Sequence, residues 1–201
     1  MVKEHTHTSK NDFIGVWYME DNSVCDLMID FYKNNNRLAG YGTIGPENDL
    51  NKKRKDSIDL HMRQFGEVEP LVSYKKQLFK VLEEYKTKYK RCDYGQHKWG
   101  LYEDWNIQEY KPGGGYHEWH YEKGGAPSGV VFKRHLVFMT FLNDITEDGG
   151  ETEWFYQKIK IKPEKGLTVI WPAEWPWTHR GVMCEKQAKY IATGWYSFKD
   201  N

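Results

Sequence analysis

The sequence has few cysteines and no long apolar segment. Its 201 residues include three cysteines, Cys25, Cys92 and Cys184, which lie far apart and form no CxxC pair. This pattern predicts neither a disulfide framework nor a cysteine-ligated metal site, and a reducing compartment such as the cytoplasm is expected. The chain lacks the run of about 18 apolar residues that a membrane-spanning helix needs. Its polar first residues, MVKEHTHTSK, lack the apolar segment of a signal peptide.

The chain also lacks net charge, because 29 basic residues balance 29 acidic ones. This balance excludes bulk electrostatic attraction to polyanions, and neither a membrane nor a nucleic-acid partner is predicted. The charge is uneven, since residues 51–91 hold 12 Lys or Arg against 6 Asp or Glu. Such a segment is typical of a solvated, lysine-rich helix and loop, and the alternative is a surface that attracts an anionic substrate.

Two segments in the N-terminal half have the periodicity of amphipathic helices. The first is predicted to start with a capping box formed by Ser23 and Asp26 and to end at the asparagines 34–36. The second is predicted to start near Pro70 and to end near Arg91, where several lysines suit the negative end of the helix dipole. Both apolar stripes are expected to pack against a sheet.

From about residue 99 onward, the pattern changes to short β-like runs separated by glycine- and proline-containing turns. The predicted strands cover residues 105–110, 116–122, 132–142, 152–161, 167–171 and 189–198. Short strands at this spacing are typical of an antiparallel sandwich or barrel. We therefore expect one domain over residues 1–201, with a helical or lid-forming part over about 1–98 and a β core over about 99–198. The polar segment 41–56 is predicted to be a long loop of the kind that often serves as a lid.

The segment HEWHYE, residues 117–122, carries the residues that suit metal chemistry. Alternate residues of a strand share a face, so His120 and Glu122 can present an imidazole and a carboxylate together. The best candidate for a third ligand is His179, which follows the strand-like run GLTVIWP. A 2-His-1-carboxylate set leaves three positions of Fe(II) open. A bidentate 2-oxo acid can take two of them and O2 the third.

A lysine supports this interpretation. Lys189 stands ten residues after His179, at the start of the last strand-like run. A turn near Cys184 would bring both side chains into the interior, where a cation is costly unless it meets an anion. The distal carboxylate of 2-oxoglutarate would be that anion.

Together, these motifs resemble the prolyl 4-hydroxylase branch of the Fe(II)/2-oxoglutarate-dependent dioxygenases. The resemblance covers about residues 105–198 and rests on the motifs IQEYKPGGGYHEWHYE, FLND, GGETEW, THRG and KYIATGW. It implies a mainly β fold with a double-stranded β-helix core, also called a jelly-roll or cupin-like core, and buttressing helices. It implies Fe(II) held by His120, Glu122 and His179. It also implies 2-oxoglutarate and O2 as cosubstrates and ascorbate as the reductant.

The resemblance further assigns residues to the cosubstrate pocket. It implies that Lys189 pairs with the C5 carboxylate of 2-oxoglutarate and that Tyr110 hydrogen-bonds the cosubstrate. Thr140 stands where a second hydroxyl often assists, and Trp195 matches a tryptophan near the pocket.

Two features depart from the family pattern. Glu122 stands where the family usually has Asp, and its extra methylene is expected to place the ligand in a slightly displaced pose. The spacing from Tyr116 to His120 is one residue longer than the usual Tyr-x-x-His. This predicts a bulge in the strand or a larger role for His117, although His117 has only Trp119 two residues on and cannot form the same chelate.

The implied activity is hydroxylation of an unactivated C–H bond, with release of succinate and CO2. The resemblance favours a prolyl residue in a peptide or protein as the substrate. Retention of the carboxylate of Glu122 favours hydroxylation over halogenation, which would need that position free for a halide. The alternatives are an oxygenase for a free amino acid or another small molecule, a non-catalytic jelly-roll metal-binding module, and a cupin-type metalloenzyme without 2-oxoglutarate. Lys189 argues against the last one.

Overall fold

The computed structural model describes residues 2–5, 12–45, 49–95, 97–124 and 129–199. Within these ranges the chain forms two α-helices, α1 (Ser23–Asn34) and α2 (Leu71–Lys88). The strands of the same ranges are β1 (Lys3–Glu4), β2 (Gly15–Tyr18), β3 (Gly40–Tyr41), β4 (Ile58–His61), β5 (Trp99–Gly100), β6 (Asn106–Tyr110), β7 (Arg134–Phe141), β8 (Thr152–Trp154), β9 (Ile159–Ile161), β10 (Leu167–Pro172), β11 (His179–Gly181) and β12 (Lys189–Phe198).

The strands form two antiparallel sheets. The larger sheet has the order β1-β2-β10-β7-β12-β6-β4-β3, with β5 paired to β12, and the smaller has the order β11-β8-β9. Apolar side chains of both sheets pack into one cluster, which includes Val137, Met139 and Val169 from the larger sheet and Trp154 and Ile161 from the smaller. The predicted mainly β architecture, with an antiparallel core, is confirmed.

Both helices pack on the other face of the larger sheet. Their buried stripes, including Met28 of α1 and Tyr74 of α2, join a second cluster with Trp105, Phe138 and Tyr196 of the β region. The helix positions agree with the periodicity, because an amphipathic stripe is buried most completely against a flat apolar surface. Each face of the larger sheet therefore has its own apolar core.

The start of α1 differs from the predicted capping box. Asp21, not Asp26, accepts hydrogen bonds from the Ser23 backbone N–H (3.0 Å) and from the Ser23 hydroxyl (2.6 Å). Asp26 instead pairs with Lys165 at 2.8 Å. An acceptor two residues before the first turn satisfies a free helical N–H as well as the capping box would.

Several strands differ from the sequence expectation. Strands β2, β3 and β4 add residues of the N-terminal part to the larger sheet, where only helices and a loop were expected. The predicted strand 152–161 is interrupted by a turn at residues 155–158, and residues 116–122 form isolated bridges instead of a regular strand. Of the predicted loop 41–56, residues 46–48 lie outside the described ranges. In the described part of the chain, neither helix combines the length and the apolar character needed to cross a membrane.

Candidate metal and cosubstrate site

A cavity of about 880 Å³ is lined by side chains of both sheets. The larger sheet contributes alternate residues, because successive side chains of a strand point to opposite faces. These residues are Asn106, Gln108 and Tyr110 of β6, Val137 and Met139 of β7, and Lys189, Ile191, Thr193 and Trp195 of β12. The smaller sheet contributes Thr152, His179 and Gly181.

The three predicted metal ligands meet in this cavity. His120, Glu122 and His179 each offer one ligand atom, and these atoms lie within 4.8 Å of one another. The two histidines form an isolated antiparallel bridge, in which each backbone N–H donates to the other residue's carbonyl (3.0 and 2.9 Å). The Glu122 Oε1 atom lies 3.4 Å from His179 Nε2 and 4.0 Å from His120 Nε2. A backbone bridge and the turn that follows it bring the ligands together, rather than the predicted strand.

Hydrogen bonds fix the orientation of both imidazoles. His120 Nδ1 lies 2.9 Å from the Glu118 carbonyl, and His179 Nδ1 lies 2.9 Å from the Trp177 carbonyl. A carbonyl oxygen only accepts, so each Nδ1 carries a proton, and Nε2 is the atom of each ring that can act as a ligand. Burial, together with the nearby His179, lowers the pKa of His120 to about 3, so this ring is neutral at physiological pH.

The carboxylate of Glu122 is held through its other oxygen. Glu122 Oε2 accepts a hydrogen bond from the indole N–H of Trp195 at 2.6 Å and lies 3.5 Å from an Arg134 guanidinium nitrogen. Burial by itself would raise the pKa of Glu122. The neighbouring His179 and His120 imidazoles and the Arg134 guanidinium outweigh it and lower the pKa to about 2. Glu122 is therefore a carboxylate with Oε1 directed at the histidines.

This donor set fits a divalent transition metal. Two imidazole lone pairs and one carboxylate oxygen converge on one point, where only a cation or a proton between them can offset their repulsion. Two nitrogens and one oxygen are the set that the facial 2-His-1-carboxylate sites of Fe(II) use. The partners of Nδ1 and of Glu122 Oε2 supply the outer hydrogen bonds that such ligands usually have. The extra methylene of Glu122 is accommodated because Trp195 and Arg134 hold the far oxygen.

The contacts that Arg134 and Glu103 make at the site were not predicted from the sequence. The Arg134 guanidinium carbon lies 3.5 Å from the centre of the Trp195 ring, and its Nε donates to Glu103 Oε2 at 2.9 Å. Glu103 also accepts a hydrogen bond from the Ser197 hydroxyl. These contacts join residues up to 94 positions apart, so no local motif could indicate them.

Lys189 lies in the cavity without an acidic partner. Its side chain is almost fully buried, and its ammonium donates to the Gly150 carbonyl at 2.9 Å and lies 4.9 Å from the centre of the Tyr110 ring. Within the described ranges it forms no ion pair, and burial lowers its pKa to about 8. A Cβ added to Gly181 would lie 3.6 Å from the Lys189 ammonium. Gly181 is two residues beyond His179 on β11, so the ammonium lies beside the triad's own strand and fits an anion bound there.

Tyr110 lies beside Lys189, and its hydroxyl belongs to a buried polar chain. The hydroxyl donates to Gln108 Oε1 at 2.7 Å, and Gln108 Nε2 donates to Asp59 Oδ2 at 3.1 Å. Asp59 also accepts from Lys55 at 2.7 Å and from Ser57 at 2.7 Å. This ion pair was not predicted, because Lys55 and Asp59 lie in and just after the segment predicted to be a loop.

The predicted role of Thr140 is wrong. Its side chain is fully buried on the helix-facing side of β7, where it accepts a hydrogen bond from the Tyr74 hydroxyl of α2 at 2.9 Å. It also bonds Thr168 of β10 at 2.8 Å. Its neighbour Met139 lines the cavity instead. Thr140 thus ties a helix to the sheet and does not contact the site.

The extra residue before His120 is taken up by irregular backbone. Tyr116 bridges to Lys55 and His120 bridges to His179, so the residues between them are free of sheet pairing. Tyr116 stacks on the His120 ring, with centroids 3.7 Å apart and planes 12° apart. His117 is neither a member of the ligand cluster nor part of the cavity wall. Of the two alternatives, the structure therefore favours the bulge.

Comparisons with known proteins agree with this geometry. Residues 105–197 match the family model of the 2OG-Fe(II) oxygenase superfamily. No curated protein sequence matches the chain significantly. Many solved structures match the chain, among them three prolyl hydroxylases. A Pseudomonas putida prolyl-4-hydroxylase has a TM-score of 0.70 at 11% identity, over 93% of this chain and 94% of that one.

The second is the viral collagen prolyl hydroxylase of Paramecium bursaria Chlorella virus-1, in its 2OG complex. It has a TM-score of 0.67 at 22% identity, over 94% of this chain and 98% of that one. The third is a Trichoplax adhaerens prolyl hydroxylase in complex with a peptide fragment of hypoxia inducible factor. It has a TM-score of 0.71 at 14% identity, over 93% of this chain and 84% of that one. At these identities the similarity establishes the jelly-roll fold.

Proposed function

The chain belongs to the 2OG-Fe(II) oxygenase superfamily, and from this premise we propose that it hydroxylates a prolyl residue of a peptide or protein and releases succinate and CO2. The observation that carries the proposal is the pairing, in one cavity, of a facial His-Glu-His donor set with a buried lysine that forms no ion pair with the described residues. The first feature suits Fe(II), and the second suits the far carboxylate of a 2-oxo diacid.

The metal would be held by Nε2 of His120, Nε2 of His179 and Oε1 of Glu122. When bound, Fe(II) with 2-oxoglutarate and O2 supplies the oxidative decarboxylation that converts a C–H bond into C–OH. The protein's part is to fix geometry. Trp195 and Arg134 restrain Glu122 Oε2 and so keep Oε1 directed at the histidines.

Lys189 orients the cosubstrate in this proposal. Its ammonium would pair with the C5 carboxylate, and the ring of Tyr110, 4.9 Å away, closes the pocket beside it. Because Tyr110 already donates its hydroxyl proton to Gln108, its proposed hydrogen bond to the cosubstrate requires that proton to turn toward the new acceptor. The buried apolar wall of Val137, Met139 and Ile191 excludes water from the same region.

The prolyl substrate is favoured by the fold shared with prolyl hydroxylases and by the size of the cavity. A volume of about 880 Å³ exceeds what 2-oxoglutarate needs and lies within the range of sites for larger ligands. The cavity opens past the exposed side chains of Tyr102 and Val130, which suit a chain segment with an apolar ring. We also propose ascorbate as the reductant and a reducing compartment, which the three free cysteines support.

The test is an anaerobic titration of the metal-free protein with Fe(II) and then 2-oxoglutarate. A visible metal-to-ligand charge-transfer band is expected in the wild type and in His97→Ala, a control at an exposed histidine. The band should be absent in His179→Ala and in Glu122→Ala, because each loses one of three ligands.

Turnover is then measured as succinate release with proline-containing peptides and with free amino acids. Activity above background with peptides only supports the prolyl proposal, and activity with free amino acids only would replace it. A band that persists in His179→Ala would refute the ligand assignment. Iron binding without a band in the wild type would favour a metal-binding module that does not use 2-oxoglutarate.

A further inference from the structure

Four aromatic side chains form a continuous row from the cavity to the protein surface. Trp119 lines the cavity and contacts Phe155 (ring centroids 5.2 Å apart), Phe155 contacts Tyr156 (5.1 Å), and Tyr156 contacts Trp175 (5.6 Å). Each contact is edge-to-face, with planes 80–85° apart. The exposed fractions of Phe155, Tyr156 and Trp175 are 42%, 56% and 57%. We call these four residues the aromatic ladder.

The ladder is exposed and yet held in place. The Phe155 N–H donates to the Thr178 carbonyl at 2.8 Å, and Gln157 Nε2 donates to the Pro176 carbonyl at 2.9 Å. These bonds join the β8–β9 turn to the short 3-10 turn at Trp175–Trp177. Large apolar side chains in a fixed, solvent-exposed array are typical of interaction sites. A partner gains contact area there without the entropy cost of ordering those side chains.

The ladder is also tied to the candidate active site. Trp119 directly precedes His120, and Phe155 directly follows Trp154, which pairs with His179 across the smaller sheet. Trp175 stands four residues before His179. A ligand lying along the ladder would therefore enter the cavity at Trp119. This continuity indicates that the occupant is part of the substrate itself.

Resting on the proposed function, we propose that the aromatic ladder is a secondary subsite that binds an extended, proline-rich stretch of the substrate polypeptide while the reacting residue occupies the cavity. Pyrrolidine rings stack on aromatic faces, and a polyproline II segment is already extended, so it loses little entropy on binding. The three ring separations add up to the length of at most about five residues at ~3.1 Å per residue.

Two cations lie over rings of this subsite. One of them, Arg180, is already paired with Glu153 at 2.6 Å, so selectivity depends mainly on Lys158. The Arg180 guanidinium lies 4.5 Å from the centre of the Trp119 ring, and the Lys158 ammonium lies 4.5 Å from that of Phe155. They leave Tyr156 and Trp175 as the rings without a cation among the described contacts. A proline-rich stretch that is neutral or acidic should therefore bind better than one rich in Lys or Arg.

The test compares two fluorescently labelled proline peptides, one of about three residues and one of about ten, which differ in whether they can reach past the cavity. Binding to the full-length protein with Fe(II) and 2-oxoglutarate is measured anaerobically by fluorescence anisotropy. The longer peptide is expected to bind the wild type at least about 10-fold more tightly. Trp175→Ala and Tyr156→Ala should each weaken the longer peptide by about 5-fold and leave the shorter one unchanged. Phe79→Ala, at a 59% exposed ring on α2, is the matched control and should change neither.

Equal affinity of the two peptides for the wild type would overturn the proposal, and so would an equal loss of both peptides in the ladder variants. Light scattering provides a third readout. If the wild type self-associates and Trp175→Ala does not, a second copy of this chain covers the ladder and the proposal fails. Succinate release with the same peptides separates this proposal from the previous one. Length-dependent binding without turnover would refute prolyl hydroxylation and leave the subsite standing.

Discussion

The two faces of strand β12 show how one strand serves two environments. Its odd-numbered residues Lys189, Ile191, Thr193 and Trp195 line the cavity, and its even-numbered residues Tyr190, Ala192, Gly194 and Tyr196 face the helices. On the helix side, Gly194 has no space for a side chain, because an added Cβ would lie 2.5 Å from Trp105. On the cavity side, a buried ammonium has a single hydrogen bond to a carbonyl. The closely packed side of β12 thus supports a side on which a buried cation is left for a ligand.

The largest expected effect comes from removing the buried ammonium of Lys189. Lys189→Met keeps the approximate volume and deletes a buried cation that forms no ion pair with the described residues. We expect the affinity for 2-oxoglutarate to fall by at least about 100-fold, because a buried charge pair is lost. The same change should stabilise the metal-free protein by about 1–3 kcal/mol, measured by urea unfolding. An unchanged 2-oxoglutarate affinity would refute the role of Lys189, and Lys189→Arg, which keeps the cation, is the control.

The pH dependence of 2-oxoglutarate affinity also tests the role of the Lys189 cation. Burial lowers the pKa of Lys189 from 10.5 to about 8, against the opposing effects of Glu151 and Cys184. Above pH 8 the folded protein loses the cation, so 2-oxoglutarate affinity should fall by about 10-fold per pH unit and be flat below. The unfolded chain keeps its proton up to about pH 10.5, so this group's contribution to the stability of the metal-free protein should rise between pH 8 and 10.5.

The measurement is the dissociation constant of 2-oxoglutarate from pH 6.5 to about 9.5. Lys189→Arg should show no fall above pH 8, because the guanidinium stays charged. If the wild type and Lys189→Arg give the same profile, another group controls binding.

The smallest effect is expected on the closely packed face. Thr140→Val leaves the Tyr74 hydroxyl without its acceptor, and should cost about 1–3 kcal/mol of unfolding free energy. The KM for 2-oxoglutarate should not change, because Thr140 points away from the cavity. Tyr74→Phe combined with Thr140→Val should recover part of the loss, since only the Thr168 hydroxyl then lacks its Thr140 partner. A raised KM in Thr140→Val would show that the two faces are coupled.

The error at Thr140 shows that the sequence of a fully buried strand does not indicate which of its residues face the site. Residues 136–141 of β7 are all buried, so the run LVFMTF has no polar alternation to show which residues face the site. The ligand residues and Lys189 could be chosen because each carries chemistry that an apolar interior tolerates only with a partner. The helices were predictable from their 3.6-residue period. Strands β2, β4 and β11 were not, because strands of three or four residues are defined by partners distant in sequence.

The same reason explains why Arg134 and the Lys55–Asp59 pair were missed. Arg134 contacts Glu122 and Glu103, and Asp59 contacts Gln108, across 12 to 49 positions in the sequence. Only the folded chain creates these neighbours. The residues that orient a ligand are therefore harder to read from a sequence than the ligand itself.

The backbone bridge between His120 and His179 has a consequence for how ligand variants can be interpreted. Its two hydrogen bonds join main-chain atoms, so a substitution of either imidazole leaves the atoms of the bridge in place. Loss of metal binding in such a variant should therefore report the lost ligand atom and not a collapsed cavity wall.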